Sequence, residues 1–320
     1  MLIVQKFGGS SLAGPERLRR SAGIILEAHR RGNRVLAVVS AAGDSTDELI
    51  DLARQLEDRP PLREMDALLS TGEQQSAALM AIMLHALGAS ARSFTGWQAG
   101  IHTDGAHGEA RIRQIDPRRL LKALDRGEIA VTAGFQGLSE EGEICTLGRG
   151  GSDTTAVALA AAVNADRCEI YTDVDGVYTA DPRLVPGARL LPEMDLRDML
   201  VLAEGGSPVL HPESVRRAID GDVDLRLLSS FRAVPGTALA LLEPEKRPLW
   251  AGVTRNRELS RVTLAGRGAD ETAAQSLRQH LLQEGLAVSR TECSPGRVCF
   301  TVPPAQLEEA TAALHRILFE

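Results

Sequence analysis

The chain is expected to fold as an α/β protein, a mainly parallel sheet covered by helices on both faces, with a small α+β unit at its C-terminal end. Three features predict this. Short β-branched runs alternate with longer stretches of helical apolar spacing over residues 1–242. Glycine-rich turns follow several of those runs. A charged segment with two prolines, Glu243-Pro244-Glu245-Lys246-Arg247-Pro248, then separates this pattern from a tail with a different order of elements.

Taken in order, Leu2 to Phe7 is an apolar run ending in glycines, which reads as a buried strand. Pro15 to Arg31 repeats apolar residues at helical spacing, with Pro15 suited to a first helical turn. Arg34 to Ser40 reads as a second buried strand, Asp47 to Glu57 and Thr71 to Leu87 as helices, and Glu128 to Phe135 as the next clear strand. Ser152 to Ala165 is an alanine-rich helix, followed by the strand Cys168 to Thr172 and the helix Leu196 to Glu204. Strands alternating with helices imply parallel pairing. Ligands of such sheets bind beyond the carboxyl ends of the strands, so the loops after Phe7, Ser40, Phe135 and Thr172 should converge. Beyond the linker at 243–248, strands are expected at Trp250 to Thr254, Val262 to Ala265, Ala287 to Arg290 and Val298 to Val302. Helices are expected at Glu271 to Glu284 and Gln306 to Leu318. The expected domains are therefore 1–242 and 249–320.

Composition excludes several classes of function. With 320 residues, 43% hydrophobic and 25% charged, the chain can bury one large core and a small second one, so disorder is not expected. A net charge of -7 and the lack of a long basic run give no electrostatic footprint for nucleic acid or an anionic membrane. No apolar stretch approaches the roughly 20 residues that span a bilayer. The opening residues also have the wrong order for a signal peptide, so a cytoplasmic location is expected. Cys145, Cys168, Cys293 and Cys299 show neither Cys-x-x-Cys spacing nor an accompanying histidine pattern, and are read as reduced thiols with no metal site.

The chemistry concentrates in two glycine loops. Lys6-Phe7-Gly8-Gly9-Ser10-Ser11 follows a buried strand, where adjacent glycines let backbone N–H groups approach a phosphate and the next helix adds a positive dipole end. Alone, such a run is also an ordinary tight turn. The second loop, Gly148-Arg149-Gly150-Gly151-Ser152-Asp153, stands at another helix entrance and holds an arginine and an aspartate together. Two such loops in one domain point to a site for an anion.

Lys6 to Ser11, Leu69-Ser-Thr-Gly-Glu73, Gly134-Phe-Gln-Gly137, Leu147 to Asp153 and Tyr171-Thr-Asp-Val-Asp-Gly-Val-Tyr-Thr-Ala-Asp-Pro-Arg183 together resemble aspartate kinases of the amino-acid kinase superfamily, from about residue 1 to residue 242. The resemblance implies an αβα sandwich and transfer of the γ-phosphoryl group of ATP to the side-chain carboxylate of L-aspartate. That is the first step towards lysine, threonine and methionine. By matched motif, Lys6, Phe7, Gly8, Gly9 and Ser10 would hold the ATP phosphates, with Mg²⁺ carried mainly by the phosphates. Asp153 would organise the cations around the transferring group, and Thr172, Asp173, Tyr178 and Arg183 would line the nucleotide. Arg149, with Gly150, Gly151 and Ser152, would clamp the aspartate α-carboxylate, a bidentate task suited to a guanidinium. Glu73 would meet the α-ammonium, and Ser40 and Thr46 would close the pocket, with a helix-cap role for Thr46 equally open.

The chemistry agrees with this implication. A carboxylate with a reference pKa of about 3.9 is ionised at neutral pH and needs no general base to accept a phosphoryl group. It needs charge neutralisation, which glycine-loop N–H groups, Lys6, Arg149 and Mg²⁺ would supply. His102 and His211 are read as structural. An N-acylated acid would leave Glu73 unpaired, whereas glutamate differs from aspartate by one methylene, worth only about 1–3 kcal/mol. The chain also departs from the family: Pro208 and Glu213 stand where a lysine and an arginine are common, and so does Leu228 for a second arginine. A kinase of another amino acid and a catalytically weak regulatory homologue are the alternatives. The tail resembles a single ACT domain, a ferredoxin-like α+β module, which implies an amino-acid effector and pairing with a second copy in a homo-oligomer. The strand from Trp250 would complete its sheet from the N-terminal side.

Overall fold

The structure is a computed structural model that describes residues 1–320. The chain opens with strand β1 (Leu2–Phe7), helix α1 (Gly14–Arg30), strand β2 (Arg34–Val39) and helices α2 (Ser45–Leu56) and α3 (Leu62–Ala86). Strands β3 (Ala91–Phe94), β4 (Ile101–Thr103) and β5 (Ile112–Ile115) lead to helix α4 (Arg118–Leu124) and strands β6 (Ile129–Ala133), β7 (Gln136–Leu138) and β8 (Ile144–Thr146). Next come α5 (Gly151–Ala162), β9 (Arg167–Thr172), β10 (Glu193–Asp195), α6 (Leu196–Glu204), α7 (Pro212–Asp220), β11 (Leu225–Ser229) and β12 (Thr237–Ala240). The tail holds β13 (Gly252–Asn256), β14 (Arg261–Ala265), α8 (Glu271–Gln283), β15 (Arg290–Ser294), β16 (Arg297–Thr301) and α9 (Leu307–Phe319).

Two compact units result: Met1–Asp173 with Asp220–Val234, and Val174–Ile219 with Pro235–Glu320. In the first, six strands run parallel in the order β11-β9-β1-β2-β6-β3. Their two-residue alternation serves two helical layers. Phe7, Val35, Ala37, Val39, Ile129, Val131 and Ala133 pack with Ala22 and Ile25 of α1 and Met80 and Leu84 of α3. The intervening residues Leu36, Val38 and Ala130 face the other way, towards α4 and α5. Helix α5 is buried almost throughout, which its small residues permit by letting the backbone lie close to the sheet. A second sheet, β5-β4-β7-β8, belongs to the same unit.

Helix α3 starts at Leu62 rather than Thr71, because the buried face of its first turns is carried by the polar Asp66 and Ser70, which give no apolar signal. Sequence reading did not anticipate β3, β4, β5, β7 or β8, each only three or four residues long with no clear alternation.

In the second unit β10 pairs with β12, and the tail forms the antiparallel sheet β13-β14-β16-β15. Strand β13, preceding the βαββα run, adds beside β14. Strand β15 starts at Arg290, where it was expected to end. The hairpin register Ser294↔Arg297 fixes its pairing, and the Ala287 N–H is taken by the Gln306 side chain instead. Val262, Leu264, Val298 and Phe300 of the sheet pack on Leu277 and Leu281 of α8 and Ala310 and Leu314 of α9. Residues 243–248 lie inside this unit, where Arg247 meets Asp198 at 2.5 Å. The Val253 N–H donates to the Thr179 carbonyl at 2.8 Å, so 174–219 and the tail share one body.

Candidate active site

Strand parity decides where Lys6 points. Phe7 packs towards α1 and α3, so Lys6 emerges on the face of α5. There its Nζ meets Asp153 Oδ1 at 2.5 Å, with both side chains largely buried. The two glycine loops are thereby joined by an ion pair, and losing either partner would strand a charge.

The loops after β1, β2, β6 and β9 converge as expected. The Gly8 N–H donates to the Tyr171 carbonyl, the Ser40 N–H to Phe7, the Gly134 N–H to Val39 and the Gly43 N–H to Gly9. The two glycines of the first loop differ in what they permit. A methyl at Gly9 would stand 2.7 Å from the Ala41 carbonyl oxygen and 3.1 Å from that of Gly43, whereas one at Gly8 meets nothing closer than Lys6 Nζ at 3.5 Å. Gly9→Ala is therefore expected to lower the melting temperature and nucleotide affinity, while Gly8→Ala leaves stability nearly unchanged. Thermal unfolding of both variants checks this, and equal losses would contradict it.

Glu73 lies on α3 beneath the same crossing. Its Oε1 accepts from the Ala41 N–H at 3.0 Å, and Ala41 is the residue that touches Gly9. The side chain is buried and Oε2 has no partner. Burial pushes its carboxyl up to about 7, only partly opposed by the Ala41 N–H. Ser40 is half-buried. Thr46 falls inside the first turn of α2, after the N-cap Asp44, so it does not cap the helix.

The second loop depends on glycine conformation. Gly148 and Gly150 have φ of +70° and +69°, the left-handed region. A methyl at Gly151 would stand 2.7 Å from the Phe135 ring. Gly150 caps α5 without a side-chain acceptor, and with the Gly151 N–H given to the Gly148 carbonyl this leaves the Ser152 and Asp153 N–H groups and the positive dipole end for an anion. Ser152 is buried against Gly134, and Arg149 is exposed with no partner in the protein.

On the other side of β1, Thr172 Oγ1 donates to Asp173 at 3.1 Å, and Asp173 is exposed. Sequence reading missed Ser230. Its hydroxyl donates to the Thr172 carbonyl at 3.0 Å and accepts from Ser11 at 2.7 Å, tying the ends of β1, β9 and β11. A small polar residue after a strand was the sole signal. Phe7 and Tyr171 stack at 4.8 Å between ring centroids.

Tyr178 and Arg183 belong to the second unit. There the Tyr178 hydroxyl donates to Asp175 at 3.4 Å, and Arg183 grips Asp181 through Nε and Nη2 at 3.0 and 2.9 Å, holding that carboxyl below its usual range. Pro208 is exposed, and Glu213 pairs with Arg217 at 3.2 Å. Leu228 lies in β11. The His211 ring accepts from the Glu213 N–H at 3.3 Å at the start of α7, and His102 is exposed on β4.

One grouping crosses distances the sequence does not reveal. Asp66, His107 and Cys145 bring a ligand-type atom each within 4.8 Å of one another. Burial raises the Cys145 thiol, which lies 3.8 Å from His107 Nδ1. The Asp66 carboxylate is already occupied by hydrogen bonds from the protein.

An ion pair under two glycine turns, at the carboxyl edge of a parallel sheet and facing an uncapped helix, is the equipment of an α/β phosphotransferase. The amino acid kinase family model matches residues 1–229, and the chain belongs to that family. Within it the chain stands among the aspartokinases. It is 45% identical to the aspartokinase of Bacillus sp. (strain MGA3) over 98% of this chain and 78% of that one. It is 51% identical to that of Mycolicibacterium smegmatis over 83% of this chain and 64% of that one. The chain thus spans about two thirds to four fifths of these relatives' length. In fold it matches E. coli aspartokinase III, solved with aspartate and ADP, at a TM-score of 0.86 and 24% identity over the whole of both chains. The same enzyme solved with lysine and aspartate gives a TM-score of 0.80.

Proposed function

We propose that the chain transfers the γ-phosphoryl group of ATP to the side-chain carboxylate of L-aspartate. The observation that carries this reading is Glu73, a buried carboxylate with one oxygen unpartnered, bonded to the Ala41 loop that crosses Gly9. An α-ammonium supplies the missing partner and draws the carboxyl into its ionised form. Arg149, free of protein partners, receives the α-carboxylate. The side-chain carboxylate then lies towards the phosphate end of the site and attacks without a base, being ionised already. Lys6, aligned by Asp153, neutralises the charge that moves to the leaving phosphate, while the N–H groups of Gly9, Ser10, Ser152 and Asp153 hold the equatorial oxygens. Asp153 is the carboxylate at hand for a cation, and Lys6 already occupies it, which suits Mg²⁺ arriving on the nucleotide. Thr172 and Asp173 take the nucleotide.

Residues 249–320 act in this reading as an ACT-like module that binds an amino acid and pairs with a second copy. The neighbour solved with lysine supports an amino-acid effector. A strict monomer in light scattering would count against pairing. No helix is long and apolar enough to cross a membrane, and the reading places the enzyme in the cytoplasm, at the entry to lysine, threonine and methionine synthesis.

Hydroxylamine traps acyl phosphates as coloured hydroxamates. Incubation with ATP, Mg²⁺ and aspartate, glutamate or N-acetylglutamate is expected to give product with aspartate alone. Product with another acid, or none from well-folded protein, would overturn the assignment.

A further inference from the structure

We infer that Asp66 is the positioning residue for Arg149, holding the guanidinium loop in the geometry that receives the substrate's α-carboxylate. This rests on the aspartate kinase reading. Asp66 stands seven residues before Glu73 on α3, so two turns of one helix present both carboxylates on nearly one face. The Asp66 side chain is 1% exposed and its oxygens are saturated. Oδ2 meets His107 Nδ1 at 2.7 Å, both oxygens accept from the Gly108 N–H at 3.1 Å, and Oδ1 accepts from Thr146 Oγ1 at 2.5 Å.

Every one of these donors belongs to the frame of the Arg149 loop. Thr146 ends β8 three residues before Arg149, and its carbonyl accepts from the Ala110 N–H at 2.9 Å. Gly108 supports the loop from the side, its carbonyl oxygen 3.3 Å from where a methyl on Gly148 would stand. Arg149 itself has no protein partner to hold it, so its aim depends on the backbone beneath it. A buried carboxylate accepting from both sides of that backbone sets the aim before substrate arrives.

Asp66→Asn keeps the shape but replaces one acceptor oxygen by an amide donor facing donors. It is expected to raise KM for aspartate about tenfold or more, the scale for a displaced clamp, and to leave KM for ATP within about twofold. His107→Ala is expected to do the same more weakly. His107→Asn, whose amide nitrogen stands near the position of Nδ1, should restore KM. In an Arg149→Ala background Asp66→Asn should add nothing, because the two act through one contact. Equal rises in both KM values, additivity with Arg149→Ala, or failure of His107→Asn to rescue would overturn the inference. If Asp66→Asn does not fold, the His107 pair decides alone. Wild-type protein inactive on aspartate would instead count against the kinase reading.

Discussion

Glu73→Gln is expected to make the ligand-free protein more stable at pH 8.5 while crippling its use of aspartate. The carboxyl is pushed up to about 7 by burial, against an ordinary 4.5. Between those values the folded chain holds a proton that the unfolded chain has lost. Stability from this group is therefore fully present below about pH 4.5 and is lost as pH rises through about 7. At pH 8.5 the ionised carboxylate costs about 3 kcal/mol, at 1.36 kcal/mol per pKa unit, and an amide of the same shape removes that cost. Thermal unfolding of both proteins at pH 4 and pH 8.5 measures it, with a gap near zero at the lower pH and its full size at the higher. The same variant loses the charge that meets the ammonium. Truncating a buried charge pair costs roughly 2–5 kcal/mol, so KM for aspartate should rise about thirtyfold or more. In the wild type, binding should release a proton near neutrality, and KM for aspartate should rise as pH falls below about 7. A variant no more stable at pH 8.5, with an unchanged KM, would remove Glu73 from the site.

Lys6→Ala should lower kcat by roughly 10²–10³, the loss expected for one preorganised electrostatic contact. It also leaves Asp153 without its partner at 2.5 Å, so some of the damage will be structural. The double variant Lys6→Ala, Asp153→Ala separates the two. Removing both charges relieves the stranded carboxylate and should recover much of the lost melting temperature, while kcat stays low. Recovery of kcat along with stability would mean that Lys6 serves the fold and not the transfer. With Pro208 in place of a common lysine, Lys6 carries more of the phosphate charge in the proposed mechanism than usual.

The legible parts of the fold share one property. Strands β1, β2 and β6 are largely apolar runs that end at glycine or serine, α1 and α6 carry periodic apolar patterns, and α5 is an alanine-rich run buried almost throughout. Burial on both faces of a parallel sheet writes itself into composition, so each was found close to its true bounds. The β4, β5, β7 and β8 sheet was missed because strands of three or four residues carry too few side chains to set a period. Strand β15 starts three residues and ends four residues later than expected because a hairpin register depends on its partner strand.

The site divides in the same way. Lys6, Arg149 and Asp153 stand in glycine-rich runs whose residue types by themselves pointed to an anion site, while Glu73 entered through the resemblance to aspartate kinases. Tertiary structure alone decided which of them meet. Parity on β1 turned Lys6 towards α5 and into Asp153, 147 residues away, while Ala41 and Gly9 packed so closely that only one glycine of the pair is sterically required. Asp66 was invisible because its partners His107, Gly108 and Thr146 are distant along the chain, and a buried carboxylate is identified by its donors. Residue type states which charges a chain can offer; close packing across the sheet decides which of them are paired, desolvated or left open to a substrate.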